Sequence, residues 1–444
     1  MSTPDNSSPW SAPERIQPLS HALSLPGSKS LTNRELVLAA LAEGPGVLRG
    51  PLHSRDTALM VDALRSLGAV IEEVPGEGGF GPDLYVVPIP LDSDASASID
   101  CGLAGTVMRF VPPLAAIVRG TFHFDGDVGA RRRPMSTTLD ALGQLGLQVD
   151  DDGRGTLPFT ITHRDSATSS AVSIDASASS QFVSGLLLMG ARLPGGLTVT
   201  HTGKTVPSLP HIDMTLACLR ERGVVVNTVA PGVWQVTPGP IAAKDVDIEP
   251  DLSNAAPFLA APLITGGHVT VEGWPGTTTQ VGADVPSILE HFGATSTLSG
   301  SRLTVGGGIG WRHGATIPGV DLDLSHAGEL APTVIALSAL ASGPSVFRGI
   351  GHLRGHETDR LSALVHNIRA LGGVAEETSD GITVQPAALD GGVWRAFADH
   401  RMATSGALLG LGIRGVVVDD IASTSKTLPE FPELWSALVE SPAP

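Results

Sequence analysis

The first residues that could do chemistry lie between Leu25 and Glu35, directly before an apolar run. Thr32 and Glu35 have the spacing of a capping box, which predicts a helix that begins near Thr32. A helix N-terminus carries partial positive charge and unpaired N–H groups, so Lys29 and Arg34 add positive charge where the helix dipole opposes it. Either an anion binds between these bases, or they are solvated on a capped surface helix. The segment is no P-loop, because alanine occupies the position of the first motif glycine.

The composition excludes several classes of protein. The 444 residues carry 28 basic and 45 acidic side chains, a net charge of −17, which argues against a nucleic-acid or membrane surface. Cys101 and Cys218 are the two cysteines; they supply no disulfide framework and no metal-ligand set, so we expect neither metal nor cofactor. The first 18 residues are rich in Ser and Pro and predict a disordered tail without the apolar core of a signal peptide. No apolar run reaches the roughly 20 residues needed to span a bilayer, and the cysteine usage predicts a reduced cytoplasm.

Six segments that are apolar on nearly every face recur at steps of roughly 75 residues. Such helices cannot face water, so we expect them to lie inside, covered by sheets and amphipathic helices. They are predicted over residues 35–42, 107–118, 181–193, 255–263, 330–341 and 402–411. Each is followed by a short strand and an amphipathic second helix, and five of these second helices end on glycine. The repeat count predicts two domains of three repeats each, with a break near residues 240–247.

Small or polar residues stand at the start of every apolar helix. They occupy positions 29–34, 102–106, 179–181, 251–254, 325–329 and 399–401. Ser253 and Asp399 are interpreted as ordinary N-caps, whereas Arg34 and Arg401 lie where acids are preferred. The loops 131–134 and 354–360 add bases that either join the same site or are solvated. We therefore expect a small molecule with several phosphate or carboxylate groups, held between the two sets of three helices.

Two carboxylates lie among these bases. Glu329 stands at the start of the fifth apolar helix, and Glu357 lies in the loop that follows. A carboxylate beside a lysine in an anion site can relay protons; alternatively, Glu357 forms a salt bridge to Arg354 or Arg360. The sequence contains no serine elbow, no metal-ligand spacing and no reactive-cysteine context.

The motifs taken together resemble those of the 5-enolpyruvylshikimate-3-phosphate synthase family of enolpyruvyl transferases, from about residue 20 to the end. They are Leu-Pro-Gly-Ser-Lys-Ser at 25–30 with Asn33 and Arg34, Ala-Gly-Thr at 104–106, Arg-Pro at 133–134, Ser-Ser-Gln at 179–181, Glu-Thr-Asp-Arg at 357–360, Asp-His-Arg-Met at 399–402 and Ser-Lys-Thr at 425–427. The resemblance implies a two-domain inside-out α/β barrel of six βαβαββ repeats with buried helices. It places residues 1–27 and 249–444 in one domain and 28–248 in the other, with the active site in the cleft between them.

The resemblance also implies an activity. Enolpyruvyl moves from phosphoenolpyruvate to the 5-hydroxyl of shikimate 3-phosphate, with release of phosphate, by addition and elimination through a tetrahedral ketal and without a metal. This is a step of the shikimate pathway, which leads to chorismate and the aromatic amino acids, and the herbicide glyphosate competes for the phosphoenolpyruvate site. The expected partners are these two substrates, not nucleic acid or membrane, and we expect a monomer.

Site residues follow from the same resemblance, position by position. The implied catalytic residues are Lys29, Glu329, Glu357 and Lys426. The implied substrate-binding residues are Ser30, Arg34, Gly105, Arg133, Ser179, Ser180, Gln181, Ser208, His356, Arg360 and Arg401. Three positions depart from the commoner family pattern: Glu329 replaces an aspartate, His356 a lysine and Phe110 a proline.

Two other functions compete with this prediction. A sister enzyme loads enolpyruvyl onto a UDP-sugar, but it usually carries a reactive cysteine on a mobile loop and Ala-Lys-Asn where this chain has Ser-Lys-Ser at 28–30. A non-catalytic anion-binding protein on the same fold would lack an acid, a base or a clamp residue. All five basic positions are present here, at Lys29, Arg133, Arg360, Arg401 and Lys426.

Overall fold

A computed structural model describes residues 9–91, 94–163 and 169–443 of the chain. The strands are β1 (Trp10–Ser11), β2 (Leu19–Leu23), β3 (Gly46–Arg49), β4 (Val70–Val74), β5 (Asp83–Val87), β6 (Asp94–Asp100), β7 (Arg119–Asp125), β8 (Gln148–Asp150), β9 (Phe159–His163), β10 (Ala171–Ile174), β11 (Leu197–His201), β12 (Val226–Ala230), β13 (Val233–Val236), β14 (Val246–Asp247), β15 (Gly267–Glu272), β16 (Thr295–Ser299), β17 (Arg302–Gly306), β18 (Asp321–Asp323), β19 (Ser345–Arg348), β20 (Val374–Glu377), β21 (Ile382–Gln385), β22 (Val393–Trp394) and β23 (Val417–Val418). The α-helices are α1 (Lys29–Ala40), α2 (Arg55–Ser66), α3 (Gly105–Leu114), α4 (Ser136–Gln144), α5 (Gln181–Gly190), α6 (Leu209–Glu221), α7 (Ala256–Thr265), α8 (Val285–Glu290), α9 (Ala331–Ser338), α10 (Arg360–Ala370), α11 (His400–Gly410) and α12 (Phe431–Glu440). Within these ranges, no helix is long and apolar enough to cross a membrane.

The chain separates into two compact units, each with its own hydrophobic core. One unit comprises Pro26–Glu249 and is called the Lys29 unit below. The other comprises the chain up to Leu25 together with the chain from Pro250 onward, and is called the Glu357 unit.

One sheet pattern repeats through both units. Each of five four-stranded sheets contains one pair of parallel strands, to which a hairpin adds two antiparallel strands. In three sheets the parallel strands directly precede and follow one apolar helix: β6 and β7 around α3, β10 and β11 around α5, and β18 and β19 around α9. In the other two the partners are exchanged, because β14 precedes α7 but pairs with β3 after α1, and β2 precedes α1 but pairs with β15 after α7. The strand orders are β14-β3-β5-β4, β6-β7-β9-β8 and β10-β11-β13-β12 in the Lys29 unit, and β16-β17-β15-β2 and β18-β19-β21-β20 in the Glu357 unit. Parallel neighbours need a crossover connection, and α3, α5 and α9 supply it in three of these sheets.

The sixth repeat is shorter than the predicted βαβαββ unit. Its sheet has three strands in the order β1-β23-β22, and β1 pairs antiparallel with β23. Where the other repeats continue into a hairpin, this one continues through a 3₁₀ turn (Ile421–Lys426) into α12.

The six apolar helices are buried, as predicted. Every residue of α3, α7 and α9 is buried, and α1, α5 and α11 are buried along most of their length. The amphipathic second helices also end as predicted. The five glycines that follow them have φ between 77° and 104°, the left-handed region in which glycine is favoured; they are Gly68, Gly146, Gly223, Gly293 and Gly372.

Three local predictions were wrong. Helix α1 begins at Lys29 rather than near Thr32, because the Ser28 hydroxyl accepts from the Leu31 N–H and caps the helix. Ser253 is no N-cap, since Ala255 precedes α7. Asp399, in contrast, caps α11 as predicted.

The third wrong prediction concerns the tail. Trp10 and Ser11 form strand β1, and Ala12 is buried, so this part of the predicted tail is ordered in the sheet with β23. The predicted tail residues 1–8 lie outside the described residues.

Candidate active site

In the Glu357 unit, one carboxylate lies between two cations. Lys426 Nζ donates to Glu357 Oε1 at 2.6 Å, and Arg360 Nη2 donates to Glu357 Oε2 at 3.0 Å. Glu357 therefore forms the predicted salt bridge with Arg360 and also lies beside a lysine. Arg354, the other partner considered, pairs instead with Asp359 and Glu377.

Arg360 is buried, with a relative exposure of 2%. Its guanidinium donates from Nε to Asp399 Oδ2 at 2.8 Å and from Nη2 to Oδ1 at 3.2 Å. Burial lowers the pKa of Arg360, but the negative charges of Asp399 and Glu357 outweigh it and raise that pKa above its ordinary value. Arg360 is therefore a permanent cation at the start of α10.

Asp399 positions a second base as well. Besides holding Arg360, its Oδ1 accepts from the backbone N–H of Arg401 at 2.9 Å, which fixes the start of α11. The Arg401 side chain then donates from Nη2 to Glu329 Oε2 at 2.6 Å. Sequence reasoning assigned Asp399 only a capping role and missed its ion pair with Arg360; the Asp-His-Arg-Met motif is the signal that marks it.

His356 lies at the edge of this cluster. Its Nδ1 accepts from Arg360 Nη1 at 3.4 Å and lies 3.9 Å from Glu357 Oε2. The His356 ring is also 5.8 Å from the ring of His352, centroid to centroid. In the Glu357 unit the structure thus brings together five of the predicted residues, Glu357, Arg360, Lys426, Glu329 and Arg401, in two ion-paired groups joined by Asp399, with His356 beside them.

In the Lys29 unit, three predicted residues meet at the start of α3. An ideal Cβ added to Gly105 would lie 3.1 Å from Arg133 Nη2 and 3.1 Å from Gln181 Oε1. Arg133 donates from Nη1 to the Leu103 carbonyl at 3.2 Å, while its buried Nε has no hydrogen-bond partner among the described residues. The Nε donor of Arg133 is therefore left unsatisfied by the described residues, which is uncommon for a buried polar group. Its neighbour Arg131 is exposed and pairs with Asp125 at 2.7 Å, so the arginine run is divided between two roles.

Lys29 is the first residue of α1, and Ser30 follows it. Lys29 Nζ lies 3.6 Å from Asp56 Oδ2 in α2, a partner that the sequence did not indicate. Asp56 is buried while the Lys29 side chain is partly exposed, so the lysine is paired with a buried carboxylate.

Arg34 is buried, with 2% exposure, which rules out the alternative that it is solvated on a surface helix. It donates from Nε to Thr215 Oγ1 at 2.8 Å, from Nη1 to the Ser30 carbonyl at 2.8 Å and from Nη2 to the His211 carbonyl at 2.9 Å. The Arg34 Cζ also lies 5.3 Å from the ring centroid of Phe110, one of the three residues that depart from the family pattern.

The predicted serines occupy the starts of α5 and α6. Ser179 Oγ accepts from the Gln181 N–H at 3.2 Å, and Ser180 is buried directly before α5. Ser208 precedes α6 with a left-handed backbone, φ 52° and ψ 49°, and its side chain does not cap the helix. A non-glycine residue in this region costs about 1–2 kcal/mol, and such strain clusters at functional sites.

Neither cysteine has the properties of a nucleophile. Cys101 is fully buried, and burial raises the pKa of its thiol to about 12; burial likewise raises the pKa of Cys218. Both side chains are therefore neutral thiols at physiological pH. The described residues also contain no group of three His, Cys, Asp or Glu side chains that could hold a metal ion.

Comparison with known proteins gives one family. The model of EPSP synthase (3-phosphoshikimate 1-carboxyvinyltransferase) matches residues 13–435. A 3-phosphoshikimate 1-carboxyvinyltransferase of Kocuria rhizophila is 56% identical over 436 residues, which cover 97% of each chain. Two solved structures of EPSP synthase from Acinetobacter baumannii share the fold, with TM-scores of 0.78 and 0.76 at 24% and 23% identity; each match covers 97% of this chain and 98% of the other.

Proposed function

This chain belongs to the EPSP synthase family and transfers the enolpyruvyl group of phosphoenolpyruvate to shikimate 3-phosphate, and we propose that the side chains described above carry out this transfer. The observation that carries the assignment of roles is the pairing of bases with carboxylates in the Glu357 unit. Cationic side chains alone would bind phosphate. Carboxylates held beside these cations can in addition accept and donate protons.

The bases bind phosphoenolpyruvate. Its phosphate and carboxylate groups suit charge-assisted hydrogen bonds from guanidinium and ammonium groups. The residues proposed for this role are Lys29, Arg133, Arg360, Arg401 and Lys426, with the backbone of Gly105 beside them. The Arg133 Nε without a hydrogen-bond partner among the described residues and the partly exposed Lys29 side chain support it.

Shikimate 3-phosphate is bound mainly by the hydroxyl and amide groups at the starts of α1, α5 and α6. These groups accompany the exposed N–H groups of a helix N-terminus, where a phosphate is stabilised. The residues with such groups are Ser30, Ser179, Ser180, Gln181 and Ser208, and the buried Arg34 guanidinium joins them. His356, which lies beside Arg360 in the Glu357 unit, is proposed as a further substrate contact. Because they and the phosphoenolpyruvate residues come from both compact units, we propose that the units are the two functional domains of a cytoplasmic monomer.

The reaction needs three proton transfers, one from the 5-hydroxyl, one to C3 and one from C3. The oxygen of the 5-hydroxyl adds to C2 of phosphoenolpyruvate while C3 gains a proton, which forms the tetrahedral ketal. The ketal then loses phosphate from C2 and a proton from the new methyl group, which restores the double bond. Glu329 accepts the hydroxyl proton, and Glu357 with Lys29 moves the proton at C3.

The ion pairs of Glu357 explain how it can do this. In the free protein, Lys426 and Arg360 stabilise the Glu357 carboxylate as an anion. A bound phosphate and carboxylate compete for the same two cations, which weakens their hold on Glu357. Glu357 then becomes a better proton acceptor when substrate is present than when it is absent.

Phosphate release tests the function and separates the alternatives. The purified protein is mixed with phosphoenolpyruvate alone, with added shikimate 3-phosphate, and with added UDP-N-acetylglucosamine, and inorganic phosphate is measured over time. We expect release only with shikimate 3-phosphate. Release only with the UDP-sugar would assign the sister activity, and binding of shikimate 3-phosphate without any release would indicate a non-catalytic binding protein.

A further inference from the structure

A chain of buried hydrogen bonds joins three helices of the Lys29 unit. Arg34 of α1 donates from Nε to Thr215 Oγ1 of α6 at 2.8 Å, and Thr215 Oγ1 lies 3.0 Å from Ser184 Oγ of α5. Both hydroxyl-bearing residues have 0% exposure. We propose that Thr215 is a positioning residue for shikimate 3-phosphate, which acts through Arg34 and Ser184 and does not touch the substrate.

All three side chains of this chain of hydrogen bonds lie within donor distance of one backbone carbonyl. The His211 carbonyl of α6 accepts from Arg34 Nη2 at 2.9 Å and lies within donor distance of both hydroxyls, 3.0 Å from Thr215 Oγ1 and 3.4 Å from Ser184 Oγ. One arrangement satisfies every group: Arg34 donates to Thr215, Thr215 to Ser184, and Ser184 and Arg34 both to His211. A buried hydroxyl without a partner is destabilising, so the hydrogen bonds favour the helix positions that keep the set complete.

The three helices are the ones whose starts carry the proposed substrate contacts. Ser30 lies in the first turn of α1, Gln181 begins α5 and Ser208 precedes α6. Arg34 also donates from Nη1 back to the Ser30 carbonyl at 2.8 Å, which connects the buried chain to the start of α1. A displacement of one helix along its axis would therefore move its contact groups relative to the other two.

Apolar packing alone does not fix such a displacement as firmly. Helix α5 is otherwise lined by apolar side chains, and neighbouring apolar surfaces are non-directional in their attraction. Hydrogen bonds have strict distance and angle requirements. The bonds of Thr215 therefore fix the positions of α1, α5 and α6 along their axes more firmly than apolar contacts do.

The proposal rests on the proposed function, because it assumes that the starts of α1, α5 and α6 bind shikimate 3-phosphate. The test variant is Thr215→Val, which has nearly the same shape and no hydroxyl. Thr215→Ser keeps the hydroxyl and is the rescue variant. The matched control is Thr138→Val in α4, because Thr138 is also buried and its hydroxyl has no hydrogen-bond partner among the described residues.

We expect Thr215→Val to raise the Kd of shikimate 3-phosphate, measured by calorimetry without phosphoenolpyruvate, and its KM by about tenfold, equivalent to about 1.4 kcal/mol. The KM of phosphoenolpyruvate should change less than threefold. Thr215→Ser and Thr138→Val should stay within twofold of the wild-type protein in both constants. If Thr215→Val does not fold, Ser184→Ala removes the next hydroxyl of the chain and should show the same preference for the shikimate 3-phosphate constants.

Several outcomes would overturn the proposal. An unchanged Kd in Thr215→Val would show that the hydroxyl positions nothing. An equal loss for both substrates, or the same loss in Thr138→Val, would indicate a general effect on folding. A wild-type protein that binds no shikimate 3-phosphate by calorimetry would instead remove the proposed function on which the inference rests.

Discussion

Replacing Glu357 by glutamine changes charge without changing size, so it isolates the proton-transfer role proposed for this residue. The native carboxylate accepts from Lys426 at 2.6 Å and from Arg360 at 3.0 Å. A glutamine amide can present its oxygen to only one of these cations, and its NH₂ group then faces the other. One charge-assisted hydrogen bond, worth about 1.5–3 kcal/mol, is lost.

The expected kinetic effect is larger than this structural one. Proton transfer by a positioned side chain contributes a factor of about 10²–10⁴, so kcat of Glu357→Gln should fall by that factor, or about 3–5 kcal/mol. Binding of phosphoenolpyruvate should not weaken. Arg360 remains paired with Asp399, and the positive charges of Arg360 and Lys426 are no longer neutralised by a carboxylate at position 357.

Steady-state phosphate release with both substrates varied measures the two constants, and thermal unfolding reports the folded fraction. Glu377→Gln is the matched control, because Glu377 also pairs with an arginine of the same unit, Arg354, outside the proposed site. A kcat within tenfold of the wild-type value, or an equal loss in Glu377→Gln, would refute the assignment of Glu357 to proton transfer.

Three further predictions address other parts of the molecule. Gly105→Ala should weaken inhibition by glyphosate more than it raises the KM of phosphoenolpyruvate, because the new Cβ would lie 3.1 Å from the Arg133 guanidinium and the displaced groups border the inhibitor; an unchanged inhibition constant would contradict this placement. Glu35→Gln should lower the free energy of unfolding, measured by urea denaturation, by about 3–5 kcal/mol, because the buried Arg222, whose Nη2 lies 2.8 Å from Glu35 Oε2, loses its opposite charge. A loss below about 1 kcal/mol would show that the ion pair contributes little. Cys101 and Cys218 should not react with a thiol reagent at pH 8 in the native protein and should both react in denaturant, because burial raises both thiol pKa values; native reaction of either would show a thiolate that the structure does not indicate.

The sequence by itself determined the repeat and its burial. Six apolar helices and five terminal glycines are local patterns, and local patterns decide whether a segment can face water or must end in a left-handed residue. These predictions were confirmed at α1, α3, α5, α7, α9 and α11 and at the five glycines. The family also followed from short motifs in order, since each preserves residue types that one chemistry needs.

Only the tertiary structure decided which partners those residues have. Thr32 and Glu35 have the spacing of a capping box, but the fold offers the Thr32 hydroxyl to the Leu52 N–H and Glu35 to Arg222. Both partners are distant in the sequence, so no spacing rule can indicate them. The capping box consequently does not form, and Ser28 takes its place.

The same reason separates the bases of the site. Arg34 and Lys29 look alike in the sequence, but the fold buries Arg34 against α6 and leaves Lys29 partly exposed beside Asp56. Likewise, Asp399 was predicted as a cap, and only the approach of α10 to α11 joins it to Arg360. Charge and hydrogen-bond energies depend on distances of a few ångströms, and those distances are set when helices far apart in the chain pack together.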